Sequence, residues 1–292
     1  MSSLAAKRGT MSSILTHNAY GKSGVRLTKV TRHPDRHDLQ EITVNIQIEG
    51  DFADSYITGD NSKLVATDSM RNTVYVLASE HAFTDIESFG QILAKHFLDK
   101  YEQVTSAAVH LSESLWQRIT VDGKPHAHSF VSSGNEKRTA TVYADRDLVE
   151  VESGIENLVV AKTTDSKFYG FIRDEYTTLP DADDRIFATA MEITWIYLKA
   201  PADFNKTHAL IRRTALEVFA NHMSLAVQQT LNEIGEAVLK AVPEIAEITI
   251  AMPNQHRLTF NLEPLGKKNK NEIFYAIDEP FGLISGTLKR DI

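Results

Sequence analysis

Asn254 and His256 stand two residues apart in "PNQHRLTF", in step with Leu258 and Phe260. A strand's period of two sends all four side chains to one face, so an amide and an imidazole interrupt an apolar row. Such a pair can hold a small polar molecule and move a proton. Taken alone, a core histidine satisfied by one hydrogen bond explains it as well. Phe168, Tyr169 and Phe171 precede Arg173, and Arg185 closes the acidic run "PDADDR". One reading pairs the arginine with Asp183 or Asp184. The other offers its planar fork to a flat anion, with an aromatic face stacked nearby. Lys22 in "YGK" precedes the first strand and reads as a surface charge. Thr67 and Asp68 in "ATDSM" fall at a helix start and suit caps. Gln228 and Gln229 lie near the start of another helix, where most amides face water.

Two histidine pairs invite a metal reading. His126 and His128 in "KPHAHSF" share a strand face, and His-x-His can grip a metal, but a polar loop-to-strand segment explains them more simply. His33 and His37 are four apart, yet Pro34 between them breaks helical geometry.

Composition narrows the chemistry. The chain has 292 residues, enough for about two domains, with hydrophobic and charged fractions ordinary for a globular protein. It is acidic, with 31 Lys and Arg against 39 Asp and Glu, and no basic run interleaved with aromatics points to nucleic acid. It has no cysteine, which removes disulfides, thiolate nucleophiles, cysteine-bound zinc and iron–sulfur clusters. No apolar run reaches the length of a membrane helix. The first residues lack a signal peptide's apolar stretch and read as a flexible tail over 1–14, with Met11 an alternative start to Met1. The ending "TLKRDI" carries no peroxisomal signal, so the cytoplasm is expected. Neither a P-loop nor a GxGxxG motif occurs.

The elements that must position these residues follow from periodicity. "EITVNIQIEGD" alternates Ile42, Val44, Ile46 and Ile48, and "GVRLTKVTR" is its expected hairpin partner. "ATDSMRNTVYVLASE" turns helical. "FTDIESFGQILAKHFLDKY" places Ile86, Phe89, Leu93 and Phe97 on one stripe behind an expected capping box of Thr84 and Glu87. Strands near "QVTSAAVHL" and "KRTATVYAD" follow. The order then repeats: strands around Leu158 and Ile193, helices from about Asp203 to Ala220 and Leu225 to Lys240, then strands "EITIAMP", "HRLTFNL" and "NEIFYAI". This reads as an α+β chain of two duplicated modules, 15–150 and 151–292.

Taken in order, "YGK", "GDNSKLVATDSMRNTVY", "DGKPHAHSF", "KFYGFIRDEYTTL", "DDRI", "VQQT" and "PNQH" resemble the urate oxidase (uricase) family over nearly the whole chain. The chain departs from the family pattern at "PDADD" before Arg185 and at Gln255, where lysine is common. The resemblance implies two tunnelling-fold (T-fold) modules, each an antiparallel sheet carrying two helices, and a homotetramer forming a barrel-like tunnel with sites at subunit interfaces. It implies oxidation of urate by O₂ to 5-hydroxyisourate and hydrogen peroxide, with no metal or organic cofactor. By the same resemblance Phe168 stacks on the purine, while Arg185, Gln228 and the Val227 backbone hold its edge. Thr67 and Asp68 reach in from a neighbouring subunit, Asn254 and Thr67 hold O₂, and Lys22, Thr67 and His256 relay protons. Two alternatives remain: a metal-dependent pterin-type enzyme of the same superfamily using His126 and His128, and a catalytically silent purine-binding protein.

Overall fold

The computed structural model describes residues 13–291. Met1, Met11 and nearly all of the expected tail lie outside them. β1 (Ala19–Arg32) and β2 (His37–Gly50) form a hairpin, followed by the short α1 (Ala53–Ile57), α2 (Thr67–Glu80) and α3 (Ile86–Lys100). The long hairpin of β3 (Val104–Val121) and β4 (Lys124–Asp145) completes the first half. The second half repeats the order with β5 (Val149–Lys162), β6 (Phe187–Tyr197), α4 (Phe204–Asn221) and α5 (Val227–Ala241). It closes with β7 (Ile245–Ala251), β8 (Asn254–Thr259), β9 (Phe274–Gly282) and β10 (Ser285–Lys289). One antiparallel sheet runs β1-β2-β3-β4-β5-β6-β7-β10, and β8 leaves that path to pair with β6 and β9. The α+β duplication expected from the sequence is the architecture found.

The halves agree in detail where their letters do not. β1 bulges between Lys22 and Val25, and β5 between Ile155 and Leu158. Each bulge holds one residue in the left-handed region, Gly24 at φ 70° and Asn157 at φ 56°, residue types that tolerate it. Each strand also carries a lysine that closes the half's first long helix. Lys29 Nζ donates to the carbonyls of Ala78 and His81 at 2.7 and 2.6 Å and lies over the Phe83 ring. Lys162 Nζ donates to the His222 carbonyl and lies over Phe219. A cation there satisfies free carbonyls and opposes the helix dipole.

Each half buries its own core between sheet and helices. Ile86, Phe89, Leu93 and Phe97 are fully buried against Ile42 and Ile48, as the stripe predicts, each contributing about 2 kcal/mol of apolar burial. Trp195, Ile211, Ile234 and Ile248 do the same in the second half. The expected capping box does not form. Asp85 caps α3 by accepting from the Ser88 N–H at 2.8 Å, and Glu87 turns inward. Its carboxylate accepts from Arg138 at 3.3 and 2.7 Å and from Ser153 Oγ at 2.7 Å. The Tyr197 hydroxyl donates to Ser153 Oγ at 3.1 Å, and burial pushes that phenol up to about 12. Arg138 also donates to Asn205 on α4, and Arg212 grips Glu136 with two bonds of 2.6 and 2.8 Å. These polar contacts tie α3 and β4 to β5 and α4, adding to the β4–β5 ladder that already joins the halves.

Candidate active site

A cavity of about 440 Å³ opens between the 165–186 segment, the start of α5 and β8. Phe168, Arg185, Val227, Gln228, Asn254 and His256 all line it. The segment between β5 and β6 has little regular structure, so backbone bonds fix it instead. Phe168 and Ala182 exchange both N–H···O bonds at 2.8 and 2.9 Å, the Arg185 N–H reaches the Ser166 carbonyl, and the Lys167 N–H reaches Ser224 beside α5. Phe168 and Arg185 are thereby aimed at one space from opposite ends of a loop. Phe171 stacks parallel behind Phe168 at 5.0 Å, and the Arg185 guanidinium lies 5.2 Å from the Phe168 ring.

Arg185 is the residue with most to gain from a ligand. No carboxylate pairs with it among the described residues: Asp184 accepts from Thr164, and Asp181 pairs with Arg173 at 3.0 Å. Its Nε is buried without an acceptor, and burial holds the guanidinium below the usual arginine range. A buried donor without an acceptor costs about 1–3 kcal/mol, so a ligand that supplies one recovers it. Of the two readings of Arg185, the pairing with Asp183 or Asp184 is not found among the described residues.

The start of α5 adds free donors. Its N-cap, Ala226, offers no side-chain cap, which leaves the N–H groups at the start of α5, Val227 among them, without a capping partner. The neighbouring amides divide their work: Gln229 accepts from the Leu225 N–H at 3.0 Å, while Gln228 is exposed on the cavity. On the other wall, Asn254 pairs with Thr189 on β6 and His256 with Ile277 on β9. His256 is partly buried and lines the cavity, which sets aside the satisfied core histidine. The row it belongs to is not a core face either. Leu258 and Phe260 are 40% and 41% exposed, and Leu258 lines the same cavity. Leu179, Pro180, Arg257 and Ile284 also line it and were not anticipated. Adjacency to His256 was the one available signal for Arg257.

Lys22, Thr67 and Asp68 lie elsewhere. Lys22 lies within β1 rather than before it, and Tyr20 on the same strand anchors the approach to α2: its hydroxyl accepts from the Val65 N–H at 2.7 Å and donates to the Val65 carbonyl at 3.2 Å. Neither Thr67 nor Asp68 caps that helix. Ala66 is the N-cap and has no side-chain bond, and Asp68 instead pairs with Arg71 at 2.7 Å. β1 stands five strands from β6, roughly 24 Å at about 4.8 Å per strand. One chain thus carries two separate groups: donors and an aromatic face at the cavity, a lysine and an open helix start at the sheet's far edge. His126 and His128 meet edge to face at 4.6 Å with His37 5.9 Å from His128, but no group of three His, Cys, Asp or Glu among the described residues is placed to hold a metal ion.

A fork of N–H donors, an amide and a stacked aromatic fit the edge and face of a flat anion rich in acceptors. Comparison with known proteins gives the family. A family profile described as Uricase matches residues 18–143 and 151–285. The uricase of Arthrobacter globiformis is 42% identical over 278 residues, covering 95% of this chain and 90% of that one. The uricase of Dictyostelium discoideum is 39% identical, covering 94% and 97%. The crystal structure of the Arthrobacter globiformis uricase superposes with a TM-score of 0.91 over 96% of both chains. This chain belongs to the uricase family.

Proposed function

We propose that this chain oxidises urate with O₂ and water to 5-hydroxyisourate and hydrogen peroxide, without metal or organic cofactor, as a cytoplasmic homotetramer. The observation that carries the reading is Arg185, an unpaired guanidinium beside Phe168 and the uncapped start of α5 in one cavity. Arg185 and Gln228 grip urate's edge with the Val227 N–H, and Phe168, backed by Phe171, carries the ring. Asn254 and Thr67 hold O₂ or water above it. The modules divide near Glu150.

Triplet O₂ reacts slowly with closed-shell molecules, so the substrate must first become a good electron donor. Lys22, Thr67 and His256 relay a second proton away from the urate monoanion. The dianion gives two electrons to O₂, which takes up two protons and leaves as hydrogen peroxide. Water adds its oxygen to the oxidised ring, and its protons balance those taken by the peroxide. The separation between Lys22 and Arg185 in one chain supports a site shared by two subunits, with Lys22, Thr67 and Asp68 coming from the neighbour.

The test is to incubate chelator-stripped protein with urate and oxygen and follow urate absorbance and peroxide together. Equal loss and gain are expected. Activity that returns only with a metal would overturn the reading, and binding without peroxide would make the chain a silent purine binder.

A further inference from the structure

Strand register aligns the two halves residue by residue. Val44, Ile46 and Ile48 on β2 correspond to Met191, Ile193 and Trp195 on β6, because the matching bulges of β1 and β5 pair at the same steps. Ile42 then corresponds to Thr189. Ile42 pairs with Glu113, and Thr189 with Asn254. One strand further, Glu113 pairs with Arg138, and Asn254 with Gly282. The helices give the third position. His81 and His222 close α2 and α4, and α3 and α5 begin at Ile86 and Val227, the same interval later. Glu87 therefore answers Gln228. Around the second-half cavity stand an amide, a second amide and a glycine, where the first half has Glu87, Glu113 and Arg138.

We infer that the first half holds a second copy of the pocket, closed by the chain's own Arg138 guanidinium, a flat cation lying where the second half leaves room for a ligand. The charges support this. Glu87 and Arg138 form a bidentate pair with side chains 0% and 6% exposed. Glu113 is held above the usual carboxylate range by burial, with Arg138 opposing that rise. Two acids around a guanidinium are self-sufficient, whereas Gln228 and Asn254 are neutral and await a partner. Gly282 provides the space: a side chain there would start 3.8 Å from Asn254 and 3.4 Å from Ile284, both lining the open cavity. The closed pocket still adjoins solvent, since Arg138 and Glu113 line a groove of about 1030 Å³ with Thr84, Asp85 and Ser88. Removing the arginine side chain should leave a site for a small guanidinium or amidinium cation. This holds whichever molecule the second-half cavity takes.

The test is Arg138→Gly, which copies Gly282, with methylguanidine as the probe and tetramethylammonium at equal concentration as the ionic control. Stranding Glu87 should lower Tm by roughly 5–8 °C for a chain of this length. Methylguanidine at twenty times its dissociation constant should return about 3 °C, with no gain from the control cation. Wild type, whose site is full, should not respond. The double variant Glu87→Gln/Arg138→Gly removes the stranded charge and should fold without help and ignore methylguanidine. If Arg138→Gly is insoluble, refolding yield replaces Tm, and recovery with methylguanidine but not with the control is expected. No gain in Tm or yield from methylguanidine, or an equal gain in the double variant, would overturn the inference.

Discussion

Replacing Arg185 with methionine should move stability and activity in opposite directions. The guanidinium's Nε is buried with no acceptor among the described residues, a burden of about 1–3 kcal/mol in the empty site. Its contact with Phe168 at 5.2 Å returns about 0.5–1 kcal/mol. Methionine has a similar reach and no donor, so the net effect is a gain of about 1 kcal/mol. At roughly 2.1 cal/mol/K per residue, that raises Tm by about 1–2 °C. Catalysis should suffer far more. Losing the two proposed charge-assisted bonds to substrate, at about 1.5–3 kcal/mol each, should cost roughly 150- to 25,000-fold in kcat/KM. Calorimetry and urate kinetics on the same preparation measure both. A clear fall in Tm, with activity lost only in proportion to unfolded protein, would show that Arg185 is structural and refute the reasoning.

Lys22→Met and Thr67→Ala should each lower kcat far more than they raise KM, because a proton relay acts in the chemical step; wild-type turnover in Lys22→Met would remove the relay. His208 should govern part of the acid limb of stability. Burial, with Arg138 and Arg212 beside it, holds its imidazole down at about 3, while the unfolded chain titrates near 6.5. The unfolded state therefore binds the proton first, so the contribution is complete above pH 6.5 and is lost as pH falls from 6.5 toward 3. At pH 5 the loss is about 2 kcal/mol, and His208→Gln should flatten stability between pH 7 and pH 5 in denaturant titrations. An unchanged slope would mean that His208 does not titrate on unfolding.

Most of the frame was legible because it rests on period. Ile42 to Ile48 and the stripe from Ile86 to Phe97 are core faces repeated often enough to stand out. β10 was missed because "SGTLK" is short and carries no apolar alternation. Glu87 misled because a glutamate three residues after a threonine looks like a cap, while its partner Arg138 lies 51 residues away and is invisible to local pattern. The candidate site was legible only through the family resemblance. Asn254, His256, Arg185 and Gln228 each have an ordinary reading, and their significance comes from convergence on one cavity. No local rule reveals that Lys22 and Thr67 lie far from that cavity, since strand order decides it.

The central claim is that two subunits build each site, and complementation between inactive variants tests it most directly. Lys22→Ala and Arg185→Ala should each be nearly inactive alone. Coexpressed, or unfolded and refolded together, they form two-fold interfaces of which half are mixed, and each mixed interface has one doubly damaged site and one intact site. About a quarter of wild-type activity should return. Lys22→Ala with Thr67→Ala, both contributed from the same side, should recover nothing. Verified mixed oligomers of Lys22→Ala and Arg185→Ala that stay as inactive as their parents would place the whole site within one chain and contradict the account.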